Sequence, residues 1–200
     1  MKKKYKVLVT EAHHRHSLAV VRSLGRKGID VTAASHVKHN HSFYSRFCKK
    51  RIVYPNPLKG TKYEEFMINI IKKNNYDVIM PTALSGFIFF SRNKKILKNY
   101  TKIPVADYPS MEIASNKIKT MKFAKEIGIP IPFTIYPKNL NDVRNVSSNL
   151  KYPVVVKAAE EWGSVRYANS PGELLQVYNL MTQSYSDQVK KEKFPIIQEY

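Results

Sequence analysis

The chain has 200 residues, with 34 Lys and Arg against 15 Asp and Glu and a net charge of +19 at neutral pH. A hydrophobic content of 43% is ordinary for a globular chain and excludes a disordered composition. The lone cysteine, Cys48, excludes an intramolecular disulfide and points to a reducing compartment.

Residues 5–10 are β-branched and apolar and predict a buried first strand. The basic residues before it do not make a signal peptide, because only Val7, Leu8 and Val9 follow before Thr10 and Glu11. Ser17 is the expected cap of a helix whose Leu18, Val21 and Leu24 share a face and which Gly28 stops. Residues 29–34 and 51–54 predict the second and third strands, the third ended by Pro55 and Pro57. Residues 63–73 predict an amphipathic helix with Phe66, Met67, Ile70 and Ile71 inward. A fourth strand is expected over 76–81. The apolar run 84–91 reads as a helix, with a strand as the alternative. Residues 103–105 predict a short fifth strand. Pro81, Ser85 and Gly86 break the longest apolar stretch, 78–90, so it cannot span a bilayer. A soluble, cytoplasmic protein is expected.

The pattern changes near Pro109. Ser115 or Asn116 caps a helix over 117–127, with Met121, Phe123, Ala124 and Ile127 apolar and Gly128 at its end. Pro130 and Pro132 forbid continuation. A strand over 133–136, a helix over 140–150, strands over 153–158 and 165–168, a helix over 171–183 and a strand over 195–199 follow. Alternating strands and helices in the first part imply a parallel, doubly wound sheet. The closer strands of the second part imply a smaller α+β unit, so domains of 1–110 and 111–200 are expected.

Four segments together resemble the ATP-grasp superfamily, in its carbamoyl-phosphate-synthase-like and carboxylate–amine ligase branch. They are Val7–Thr10 with residues 21–28; Ser42 to Arg46 with Tyr54, Pro55, Asn56 and Pro57; Asn116 and Lys117 through Gly128-Ile129-Pro130-Ile131-Pro132; and residues 153–157 with Gly163 and Ser164, then Gln198, Glu199 and Tyr200. The resemblance covers the whole chain. It implies a Rossmann-like pre-ATP-grasp domain followed by the first lobe of the nucleotide-binding fold, incomplete at residue 200. It also implies an ATP-dependent ligase with ATP and Mg²⁺ as cofactors. A small-molecule carboxylate becomes an acyl phosphate, and an amine displaces phosphate. By position, Lys157, Gly163 and Ser164 hold phosphates, Lys117 does so from its helix start, and Glu199 and Tyr200 form the adenine-side hinge. Family members often dimerise.

Two departures qualify the resemblance. The loop after Lys157 has one glycine and two adjacent acids, Glu160 and Glu161, and glutamates near phosphate repel it unless a metal intervenes. Trp162 in that loop reads as a packing residue. The metal-binding carboxylates and catalytic Arg of the family's second lobe have no counterpart in residues 1–200. The chain is therefore expected to be a fragment of a longer enzyme, inactive in ligation alone. The alternative is a non-catalytic nucleotide- or partner-binding module.

All six histidines precede residue 42. His13, His14 and His16 follow the first strand and His36, His39 and His41 the second, so the two groups can meet at the sheet's carboxyl edge. His13, His14, Arg15 and His16 are the candidate contacts to a substrate carboxylate, and solvated loop residues are the plainer alternative. No metal site is assigned. A dinucleotide-binding dehydrogenase is excluded because the turn from Thr10 to His16 contains no glycine. Lysines spread along the whole chain, without an arginine-rich tract, argue against nucleic-acid binding. Cys48 beside Lys49 and Lys50 reads as inert, and Asp77, Asp107 and Asp187 form no evident pair.

Overall fold

The computed structural model describes residues 4–57, 61–159, 165–183 and 194–200. It divides into two compact units, Met1–Met111 and Glu112–Tyr200.

The first unit is built on four parallel strands: β1 (Lys6–Val9), β2 (Asp30–Ser35), β3 (Cys48–Val53) and β4 (Val78–Met80), in the order β3-β2-β1-β4. The period-two alternation of β1 assigns its side chains to two cores. Val7 and Val9 pack with Val21 of helix α1 (Arg15–Arg26), Val31, Ala33 and Phe43. Leu8 faces the other side, with Met67 and Ile71 of α2 (Lys62–Asn74), Phe89 and Phe90 of α3 (Leu84–Arg92) and Leu97 of α4 (Lys94–Leu97). Helices on both faces of a parallel sheet are the doubly wound arrangement expected. The run 84–91 is a helix.

Three details differ from expectation. Helix α1 begins at Arg15, and Ser17 lies inside its first turn, where its hydroxyl donates to the Glu11 carbonyl (2.9 Å) instead of capping. Strand β3 begins three residues early, because an edge strand tolerates the exposed Lys49, Lys50 and Arg51. The fifth strand does not form. Lys102 makes one parallel bridge to Val78, but Pro104 has no N–H and the Val105 N–H turns back to the Ile103 carbonyl (2.9 Å).

Helix α5 (Tyr108–Ala114) contains the boundary between the units. The second unit continues with α6 (Lys117–Glu126), β5 (Thr134–Ile135), α7 (Leu140–Ser147), β6 (Val154–Lys157), β7 (Val165–Ala168), α8 (Pro171–Gln183) and β8 (Ile196–Glu199). Its strands are antiparallel in the order β5-β8-β6-β7. Val154, Val156, Ala168 and Ile197 pack on Val143 of α7 and on Leu174, Tyr178 and Met181 of α8. The apolar residues of helix α6 are not drawn into a core: none of its residues is buried, and Phe123 and Ile127 are exposed. Periodicity reports that a face is apolar, not what covers it. Gly128, at a φ of 78°, ends α6 in a Schellman turn, with Gly128 N–H to Lys125 O (3.2 Å) and Ile129 N–H to Ala124 O (2.9 Å).

Candidate functional site

The second sheet has two unlike faces. Register and alternation put Val154, Val156 and Ile197 against α7 and α8, and therefore put Val155, Lys157, Gln198, Ile196, Tyr167 and Thr134 on the other face. On that face Lys157 Nζ donates to Gln198 Oε1 (2.7 Å), and Gln198 Nε2 donates to Thr134 Oγ1 (2.9 Å). The rings of Tyr167 and Tyr200 meet edge to face at 5.4 Å, and Tyr200 is 80% exposed. The site thus combines a cation at a strand end with a partly exposed aromatic pair. Glu199 is spoken for: its backbone N–H bonds the Phe133 carbonyl (3.1 Å), and its Oε1 accepts from the Phe133 N–H (2.8 Å).

Helix α6 starts beside this strand. The Lys117 N–H donates to the Ala159 carbonyl (2.8 Å), two residues beyond Lys157. Asn116 caps the helix through its side-chain oxygen, which accepts from Lys119 N–H (3.1 Å). Two of the donors that a helix start offers to an anion are therefore already engaged. Attraction of an anion there falls mainly to the Lys117 charge.

In the first unit the β1–α1 and β4–α3 turns meet where the chain order of the sheet reverses, between β1 and β4. Glu11 occupies this switch point. It is 2% exposed and has a φ of 51°, the left-handed region that suits glycine. Its Oε2 accepts from Thr10 Oγ1 (2.6 Å) and from the Thr82 N–H (3.2 Å), and its own N–H donates to the Tyr54 hydroxyl oxygen (3.2 Å). Oε1 is buried and finds no partner among the described residues. Burial pushes the carboxyl pKa up, against the opposing effect of these hydrogen bonds.

Histidines surround the same turn. Ring centroids lie 4.2 Å apart for His13 and His14, 4.6 Å for His13 and His36, and 5.1 Å for His14 and His16. His13 Nδ1 is 3.0 Å from Ser35 Oγ, and His16 Nε2 contacts the Thr82 carbonyl at 2.5 Å. Burial first, then the neighbouring imidazoles, lower the His13 pKa to about 4, and burial is also the leading cause for the lowered values of His14 and His36. The two histidine groups meet through His13 and His36. His39 instead contacts the Tyr44 hydroxyl (2.9 Å). Among the described residues no three His, Cys, Asp or Glu side chains are grouped to hold a metal ion. No described helix is long and apolar enough to cross a membrane.

No family model matches the sequence, and no curated protein matches it. Solved structures do match in fold. The L-amino acid ligase of Bacillus licheniformis superposes with a TM-score of 0.78 at 19% identity, over 100% of this chain and 47% of that one. The fold is that of the ATP-grasp ligases. The biotin carboxylase domain of Hydrogenobacter thermophilus 2-oxoglutarate carboxylase, solved with MgADP, ADP and bicarbonate, gives 0.68 at 17% identity, over 99% of this chain and 45% of that one. N5-carboxyaminoimidazole synthetase from Staphylococcus aureus gives 0.68 at 15%, over 100% and 48%. The chain spans about half the length of these ATP-grasp structures.

Within this ATP-grasp fold the sequence-predicted residues fall unevenly. Lys157 and Tyr200 share the sheet face away from the helices, and the start of α6 at Lys117 is tied to the same strand's continuation. The Glu199 side chain accepts from the Phe133 N–H, just before β5. Gly163 and Ser164, with the loop residues Glu160, Glu161 and Trp162, lie outside the described residues. His13, His14 and His16 line one turn with the exposed Arg15. The sequence alone gave no role to Glu11, and it marked Gln198 only as part of the segment with Glu199 and Tyr200. An acid in the turn directly after a buried strand was a signal for Glu11. A polar residue inside the apolar run of residues 194–200 was one for Gln198.

Proposed function

We propose that the chain is the nucleotide-holding half of an ATP-dependent ligase, with residues 1–110 as its pre-ATP-grasp domain and 111–200 as its first nucleotide-binding lobe. The observation that carries this reading is the Lys157 ammonium, at the end of β6, held on the sheet face turned away from α7 and α8. A lysine there supplies a point charge to α- and β-phosphate oxygens. Lys117 adds a second positive charge beside the same strand. Tyr200, stacked edge to face on Tyr167, offers an aromatic surface beside the backbone that would meet adenine. Gly163 and Ser164 complete the phosphate contacts in this reading. Mg²⁺, bound with ATP by groups outside these residues, supplies charge neutralisation during phosphoryl transfer. The whole enzyme would activate a small carboxylate as an acyl phosphate for attack by an amine.

His13, His14, Arg15 and His16 are the proposed substrate contacts of the first unit. The lowered pKa values of His13 and His14 mean that these two rings meet a ligand at neutral pH as uncharged hydrogen-bonding groups. Arg15 carries the positive charge toward a carboxylate. Substrate affinity unchanged by joint replacement of His13, His14 and His16 would remove this assignment.

Calorimetric titration of Mg-ATP into the chain and its Lys157→Ala variant tests the nucleotide site. Loss of one charged phosphate contact should weaken binding about tenfold or more. Equal affinity in the two proteins overturns the reading.

A further inference from the structure

Three hydrogen bonds run in series, two of them between strands of the second sheet, and the ammonium at one end fixes the direction of those two. The Thr134 hydroxyl donates to the Pro132 carbonyl (2.7 Å), which leaves its oxygen to accept from Gln198 Nε2 (2.9 Å). Gln198 Oε1 then faces Lys157 Nζ (2.7 Å), and an ammonium can only donate. Only one orientation of the Gln198 amide satisfies both neighbours. At 3% exposure Gln198 exchanges these partners for water at a real cost, so its amide is held where it is. The pairing of Gln198 with both Val155 of β6 and Thr134 of β5 brings together side chains from three strands.

We propose that Gln198 is a positioning residue, fixing the Lys157 ammonium through a neutral acceptor so that the ammonium keeps its full charge for an anionic ligand. This deepens the nucleotide reading of the same face and rests on it. The choice of an amide is the informative part. A carboxylate at 198 would hold Lys157 equally well in space, but it would form an ion pair and compete with phosphate oxygens for the same protons. It would also lose the donor that reaches Thr134. A hydrocarbon at 198 would free a long side chain to sample its rotamers, and ligand binding would then bear the ordering entropy. An ammonium has three donors, and Gln198 takes one. Gln198 is its one hydrogen-bond partner among the described residues, so the other two donors are left for a ligand, on a side chain whose direction is already set.

The test compares ATP affinity in the wild-type chain and in the Gln198→Leu, Gln198→Glu, Thr134→Val and Lys157→Ala variants, with Mg²⁺ present. Alongside it, the Lys157 side-chain NMR signals are followed in each ligand-free protein. Gln198→Leu should weaken ATP binding about fivefold to tenfold, the size of one typical net intramolecular hydrogen bond. Gln198→Glu should weaken it more than Gln198→Leu does, although it is nearly isosteric and preserves the fold. Thr134→Val should have the smallest effect of the three and still shift the Lys157 signals. Gln198→Glu binding ATP as well as the wild type, with Lys157→Ala impaired, overturns the positioning role and leaves the nucleotide site standing. Lys157 signals unmoved by Gln198→Leu overturn it too. A wild-type chain that binds ATP no better than Lys157→Ala removes the nucleotide reading, and the ligand named here with it.

Discussion

The carboxyl group of Glu11 rests directly on Gly86, in the first turn of α3. A Cβ on residue 86 would overlap both carboxyl oxygens and the carbon between them. Glycine is here for space, not for backbone freedom, and the glutamate depends on it. Gly86→Ala should therefore destabilise the chain by about 1–3 kcal/mol from overpacking, although alanine favours a helix interior by about 1 kcal/mol. The urea midpoint measures it. In a Glu11→Ala background the same substitution should be neutral or stabilising, because the obstacle is gone and only the helix preference remains. Equal losses in the two backgrounds would refute the contact.

The pH dependence of stability should show two opposing contributions from the same turn. Glu11 has a raised folded pKa, so its contribution to stability is fully present below the ordinary carboxyl value and is lost as pH rises through the folded value. His13 has a folded pKa lowered to about 4, so its contribution is present above the ordinary imidazole value near 6.5 and is lost as pH falls toward about 4. Glu11→Gln should remove the loss on the alkaline side, and His13→Gln should flatten the loss on the acid side. Urea midpoints measured from pH 4 to 8 check both. Variant profiles running parallel to the wild type would disprove the assignment.

The strands and helices were largely legible because their signals are local. Short β-branched runs mark β1, β2 and β6, the last two entered from Gly28 and Pro153, and period 3.6 marks α2. The ATP-grasp fold showed in the order of four segments, none of them informative alone. What stayed hidden depends on crossings between distant residues. Glu11 contacts residues 71 and 43 positions away through the Thr82 N–H and the Tyr54 hydroxyl. Gln198 reaches Lys157 across 41 positions, through a register that only the assembled sheet defines. The apolar side of α6 was legible as a pattern. Its exposure was not, since burial depends on what else is present.

Gly25 is a second position where volume decides. It lies in α1, and a Cβ there would overlap the Phe47 side chain, just before the edge strand β3. Gly25→Ala should cost about 1–3 kcal/mol by the same overpacking. Gly128→Ala meets no atom within 4 Å, so its cost comes from the positive φ alone, about 1–2 kcal/mol. Pairing each with a partner truncation separates the causes. Phe47→Gly, which removes the Cβ nearest to residue 25 as well as the ring, should make Gly25→Ala nearly free, whereas no neighbouring truncation should relieve Gly128→Ala. Denaturation of the four proteins decides it.

Asn116 gives the cleanest test of how α6 is held. Its side-chain oxygen accepts the Lys119 N–H, while its own carbonyl accepts the Thr120 N–H (2.8 Å). Asn116→Ala removes only the first of these bonds and should cost about 1 kcal/mol. Asn116→Asp keeps the acceptor and adds a negative charge where the helix dipole favours one, so it should match or exceed the wild type in stability. The bond from the Lys117 N–H to the Ala159 carbonyl is made by backbone and survives either change. Amide exchange at Lys117 should therefore stay slow while exchange at Lys119 accelerates in the alanine variant. Equal acceleration at both amides would mean that the cap, and not the contact with Ala159, holds the start of α6.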